Sequence, residues 1–188
     1  MARPRQFDEP ALRAAALEAY WTHGFERTSV GDIAAAGGVG NGSLYAAYGS
    51  KLGLFLVVLE EYCRGRVELV RSAMATPGGT GDAIRALLEA VIADCAAQPA
   101  RRGCLMLNSL AEFGERQPEV LELCQGATRD MEQAIADRIA PDVAGPAHVL
   151  AAEILLFSQG LIQASRLHVP ADELRALASE YAGRLPVG

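Results

Sequence analysis

Residues 24–55 read GFERTSVGDIAAAGGVGNGSLYAAYGSKLGLF, and this stretch decides the fold. Thr28 or Ser29 offers a hydroxyl cap for a short helix that ends at Gly37 or Gly38, with Ile33 and Ala34 on its inner side. Gly38 permits a sharp turn. A second short helix follows over about Asn41–Tyr48, and Ser50 caps a long one whose run Leu52, Leu54–Leu59 is apolar nearly all round. Two short helices about a glycine break form a helix-turn-helix layout, which aims the second helix at a DNA major groove.

Upstream, Leu12, Ala15, Ala16, Ala19 and Tyr20 recur at helical spacing, predicting a helix over Glu9–His23 with Asp8 as its cap and Gly24 at its end. Downstream, Thr76-Pro-Gly-Gly-Thr-Gly81 ends the long helix. Further helices are expected at about 82–97, 103–114, 118–139, 146–168 and 171–183, punctuated by Pro99, Pro118, Pro141, Pro146 and Pro170. The expectation is an all-α protein of about nine helices, with a DNA-binding domain over 1–50 and a helical effector-binding and dimerisation domain over 51–188.

Composition agrees with helix throughout: 51% hydrophobic, 6% aromatic. The N-terminus has no apolar run after Arg3 and Arg5, so no targeting segment is expected. Glu153, Gln159 and Gln163 interrupt the most apolar helix, so no membrane span is expected either, and the reading is a cytoplasmic protein. The net charge of −6 is unevenly placed. Residues 1–71 carry eight basic and eight acidic side chains, leaving nine and fifteen for residues 72–188. A neutral N-terminal part can still set a few cations against phosphates.

Cys63, Cys95, Cys104 and Cys124 are widely spaced, with no CxxC pair and no neighbouring His, so neither a metal site nor structural disulfides are expected. The three histidines show no pairing suited to catalysis, and neither an enzyme nor a cofactor is expected.

The stretch from Asp8 to Phe55 closely resembles the DNA-binding module of the TetR (tetracycline-repressor) family: Gly24, Thr28-Ser29-Val30, Ile33-Ala34, Gly38-Val39, Gly42-Ser43-Leu44-Tyr45, Tyr48, Ser50-Lys51 and Leu54-Phe55. The resemblance implies a DNA-binding transcriptional regulator. It also implies a homodimer and a repressor released from a palindromic operator by a small apolar effector. Val39, Leu44 and Tyr48 are expected to fix the angle of the reading helix. Thr28, Ser29, Tyr45 and Lys51 are expected at phosphates, and Asn41, Gly42, Ser43 and Ala46 at or beside base edges. Arg3 and Arg5 can enter a minor groove. Two departures stand out. Gly40-Asn41 opens the reading helix where the family has a hydroxyl cap, and Ala47 takes a place the family often gives to an aromatic or His. More of the phosphate contact should then fall to Lys51, the only lysine.

In the C-terminal half, Val149, Leu150, Ile154, Leu155, Phe157, Leu161 and Ile162, with Leu174, Leu177 and Tyr181, suggest a two-fold, four-helix interface. The expected effector lining is Met106, Asn108, Phe113, Phe157, Gln159 and Gln163. Arg101-Arg102-Gly103-Cys104 sets a thiol in the first turn of a helix beside two cations, a setting that favours thiolate. This segment is similar to that of the electrophile-sensing N-ethylmaleimide-reductase repressor subgroup, which implies release by modification of Cys104. Ordinary packing of Cys104 is the other reading. For the whole chain, a dimeric helical adaptor with a decayed DNA head is the alternative.

Overall fold

The computed structural model describes Asp8–Gln98 and Ala100–Pro186. These residues form nine α-helices and no strand: α1 (Glu9–His23), α2 (Val30–Ala36), α3 (Asn41–Tyr48), α4 (Lys51–Met74), α5 (Thr80–Ala97), α6 (Leu105–Phe113), α7 (Pro118–Ile139), α8 (Ala147–Arg166) and α9 (Ala171–Arg184). Single 3-10 turns follow α6 and α7.

The chain divides into two compact units. One comprises the chain up to Tyr62 with Leu105–Leu123. The other comprises Cys63–Cys104 with the chain from Cys124 onward. The first unit therefore reaches past residue 50 to take in the first half of α4, all of α6 and the start of α7.

In the first unit, α1 packs on α2 and α6, and α2 on α3. Leu12, Ala16, Ile33, Leu44, Leu54 and Phe55 are almost wholly buried. An aromatic cluster joins the elements: Tyr20 meets Phe55 edge-on at 5.0 Å, and Phe25 lies 5.0 Å from Phe113 and 5.2 Å from Phe55. Such pairs add about 0.5–1.5 kcal/mol each beyond their buried area.

In the second unit, α8 and α9 both pack on α5. The inner face of α8 is Ala151, Ile154, Leu155, Ser158, Leu161 and Ser165, and that of α9 is Leu174, Ala178 and Ala182. Thr80 opens α5 two residues before the expected start, because the Asp82 carboxylate accepts from the Gly79 N–H and closes the turn there. The Thr80 hydroxyl bonds Asp142 and accepts from Arg138, tying α5 to the end of α7.

By length and composition α8 is apolar enough to cross a membrane, with a mean hydropathy of 1.3 over its most apolar window, and only 28% of that window is buried inside the chain. Gln159 and Gln163 lower the average less than the surrounding Leu and Ile raise it. The uncovered apolar surface includes Val149 and Leu156, and α9 adds Leu177.

Candidate nucleic-acid interface

The turn between α2 and α3 uses two glycines for two different reasons. Gly38 has φ +68, a left-handed conformation that costs other residues about 1–2 kcal/mol. Gly37 has an ordinary backbone, but a Cβ there would stand 2.7 Å from Leu12 Cδ1 and 3.1 Å from Leu12 Cα. The sequence points to the first of these and not to the second, which depends on how closely α2 approaches α1.

Leu44 is wholly buried and anchors α3. Val39 and Tyr48 are half-buried beside it. That orientation turns Asn41, Gly42, Tyr45, Ala46 and Ala47 outward, and Tyr45 is 48% exposed. Ser43 is half-buried, to one side of this face. Gly40 occupies the N-cap position of α3 with no side-chain hydrogen bond.

Thr28 and Ser29 part company. The Ser29 hydroxyl accepts from the Asp32 N–H at 3.0 Å as the α2 cap, and Ser29 is exposed. Thr28 is 4% exposed, and its hydroxyl donates to the Gly24 carbonyl at 2.6 Å. Its side chain thus closes the α1–α2 turn and does not face outward for a phosphate. Arg3 and Arg5 lie outside the described residues.

Lys51 stands at the start of α4, where Ser50 caps through the Gly53 N–H at 2.9 Å. Its carbonyl accepts from the Tyr20 hydroxyl at 3.2 Å. Its ammonium donates to the Glu26 carbonyl at 3.4 Å and lies over the Phe25 ring. The same turn is held from the other side by Glu112 of α6, whose carboxylate accepts from the N–H groups of Phe25 (2.9 Å) and Glu26 (2.8 Å). The sequence gives no sign of Glu112, which stands 86 residues from Glu26.

The expected effector lining is divided between the two units. Met106, Asn108 and Phe113 belong to the first unit, whereas Phe157, Gln159 and Gln163 belong to the second. Phe113 is 3% exposed and fills the aromatic core beside Phe25. Phe157 is stacked on Tyr181 at 3.8 Å. Gln163 is exposed, because it lies on the side of α8 opposite the buried Leu161 and Ser165. None of these residues lines the open cleft of about 470 Å³ in the second unit, which is bounded by Arg71, Met74, Asp130, Gln133 and Arg138 among others.

Cys104 precedes α6 rather than lying in its first turn, and it is 5% exposed. Arg101 directs its guanidinium to the carbonyls of Ser165 and Val169 at 3.1 and 3.3 Å. A side-chain hydrogen bond with Cys63 foremost holds the Cys124 thiol below its usual pKa, against the opposing effect of burial and a smaller raising influence from Cys104. Burial foremost raises the Cys95 thiol, with smaller influences that include Asp94 and Cys104.

Residues 12–58 match the family described as bacterial regulatory proteins, tetR family, and residues 81–180 match the tetracyclin repressor-like C-terminal domain. The chain belongs to the tetR family of bacterial transcriptional regulators. Among its relatives is the uncharacterized HTH-type transcriptional regulator YezE of Bacillus subtilis, 28% identical over 71% of this chain and 69% of that protein. The HTH-type transcriptional repressor ComR of Escherichia coli is 32% identical over 57% of this chain, which spans about half of ComR (51%). Among solved structures, a cysteine-substituted form of the TetR family regulator CifR, complexed with 26-base-pair operator DNA, superposes with a TM-score of 0.85. It is 22% identical and covers 98% of this chain and 100% of that one.

Proposed function

We propose that the chain is a homodimeric repressor that reads a two-half-site DNA operator through α3, in the cytoplasm. In this reading it leaves the operator when a small apolar effector binds, or when Cys104 is modified. The observation that carries this is the outward face of α3: Asn41, Gly42, Tyr45 and Ala46 stand clear while Leu44 is wholly buried. An amide and a methyl suit adenine and thymine edges respectively. Ser29 and Lys51 flank that face as phosphate contacts, one at a helix cap and one at a helix start. The repressor names of ComR and the operator complex of CifR support the same reading.

The effector has to favour the form that does not fit DNA, by about 1.4 kcal/mol for each tenfold loss of operator affinity. A noncovalent effector is favoured over modification of Cys104, since that thiol is closed off from water and its neighbour Arg101 is engaged elsewhere.

Selecting bound duplexes from a random DNA pool with the purified, reduced protein tests the proposal. A palindrome with two similar half-sites is the expected result. No enrichment at low salt would overturn it and bring forward a dimeric adaptor with an inactive DNA head.

A further inference from the structure

Phe25 and Glu26 lie in the turn between α1 and α2, and two side chains from elsewhere in the first unit grip them both. From α6, the Glu112 carboxylate accepts from the Phe25 N–H through Oε2 at 2.9 Å and from the Glu26 N–H through Oε1 at 2.8 Å. From the start of α4, the Lys51 ammonium rests 4.3 Å from the centroid of the Phe25 ring and donates to the Glu26 carbonyl at 3.4 Å. The two residues that Glu112 fixes are the same two that hold Lys51.

We propose that Glu112 is a positioning residue for operator binding: by fixing Phe25 and Glu26 it keeps the Lys51 ammonium in place for a DNA phosphate. The effect on DNA rests on the reading of Lys51 as a phosphate contact, whereas the hold on the ammonium does not. The two grips differ in strength. A carboxylate that takes two N–H groups forms charge-assisted bonds, about twice as strong as neutral ones, and both lie at ordinary hydrogen-bond length. The Lys51 bond lies beyond that length. Glu112 is itself well seated. Arg116 donates to the carbonyls of Glu112 and Phe113 and closes the end of α6, and the Phe113 ring packs 5.0 Å from that of Phe25. Gly24 leaves room for the carboxylate, since a Cβ there would stand 3.0 Å from Glu112 Oε2.

The weak grip depends on where the firm one puts the turn. Once the turn is loosened, the Lys51 side chain samples more positions and must be ordered again when a phosphate arrives. That ordering lowers affinity without removing the contact. Affinity should therefore fall while the salt slope stays, because the slope counts the phosphates met in the complex.

The test compares the parent protein with Glu112→Ala, Glu112→Gln, Lys51→Ala and the Glu112→Ala/Lys51→Ala double variant, at a temperature where circular dichroism shows each fully folded. Affinity for the selected duplex should fall about three- to tenfold per half-site in Glu112→Ala, the scale of ordering one long side chain. Glu112→Gln, which keeps one acceptor oxygen, should lose less, and it carries the same test should the alanine variant not fold. In the Lys51→Ala background the change at Glu112 should cost almost nothing, since the two act on one contact. A second readout needs no DNA. With isotope-labelled lysine the chain gives a single ε-methylene NMR signal, displaced by the ring current of Phe25, and Glu112→Ala should return it toward its undisplaced position. An unmoved signal would overturn the positioning. An equal loss of affinity with and without Lys51 would overturn the link to DNA and leave Glu112 as support for the fold alone. A signal that moves in a protein that selects no duplex would uphold the positioning and count against the repressor reading.

Discussion

The ammonium of Lys51 lies 4.3 Å from the centroid of the Phe25 ring. Its other contact is the Glu26 carbonyl at 3.4 Å, near the limit of a hydrogen bond. Both partners are weak compared with a phosphate, so the cation is held ready beside α3 at little cost to release. Lys51→Ala should lower operator affinity and flatten the slope of log affinity against log salt by about 0.9, the signature of one lost phosphate contact. Thermal unfolding should stay within about 0.5 kcal/mol of the parent. Gel-shift titrations over a salt series check this, and an unchanged slope would show that Lys51 does not meet the backbone.

Glu112 takes two backbone N–H groups at once. Glu112→Ala should destabilise the first unit by about 1–3 kcal/mol, the usual consequence of leaving donors without an acceptor. Glu112→Gln, which keeps one acceptor oxygen, should fall between. Urea unfolding followed by Trp21 fluorescence is suited to the measurement, since the Trp21 ring packs edge-on against Tyr62 at 5.1 Å within this unit. Equal stability of all three proteins would remove Glu112 from the turn's support.

The two glycines of the turn should answer differently to side chains. Gly38→Asn should be tolerated better than Gly38→Ala, because asparagine visits the left-handed region and nothing crowds the position. At Gly37 the order should vanish, since any Cβ meets the backbone of Leu12. Melting temperatures of the four variants would decide it. A milder effect at Gly37 than at Gly38 would mean that α1 gives way.

Much of the first unit was legible because its signals are local. Asp8 accepts from the Ala11 N–H at 3.0 Å as a cap, Gly24 carries φ +81, and Ser29 and Ser50 cap where the hydroxyls stand in the sequence. These features act over three or four residues, the range over which capping and periodicity operate. What was not legible depends on pairs far apart in the chain. Nothing near residue 112 announces a bond to residue 25. Only the fold decides which way the Thr28 hydroxyl, next to a cap, is turned. Polarity along the helices cannot separate Phe113 as core from Phe113 as a pocket wall.

The outward stripe of α8 offers a separate test of assembly. Leu156 of α8 is 66% and Leu177 of α9 50% exposed in a single chain. Leu156→Glu should leave the helical content intact while shifting sedimentation from dimer to monomer. It should also weaken operator binding, because two half-sites then act without linkage. A variant that still sediments as a dimer would place the interface elsewhere.

Lys51 is the only lysine in 188 residues. An amine-directed acylating reagent therefore has a single side chain to find, and that side chain stands beside the α3 face. Its labelling rate is a footprint with no background from other lysines: fast when the ammonium leaves Phe25 for solvent, slow when a phosphate takes it. Any acyl group placed there would remove the one ε-ammonium charge that the chain possesses.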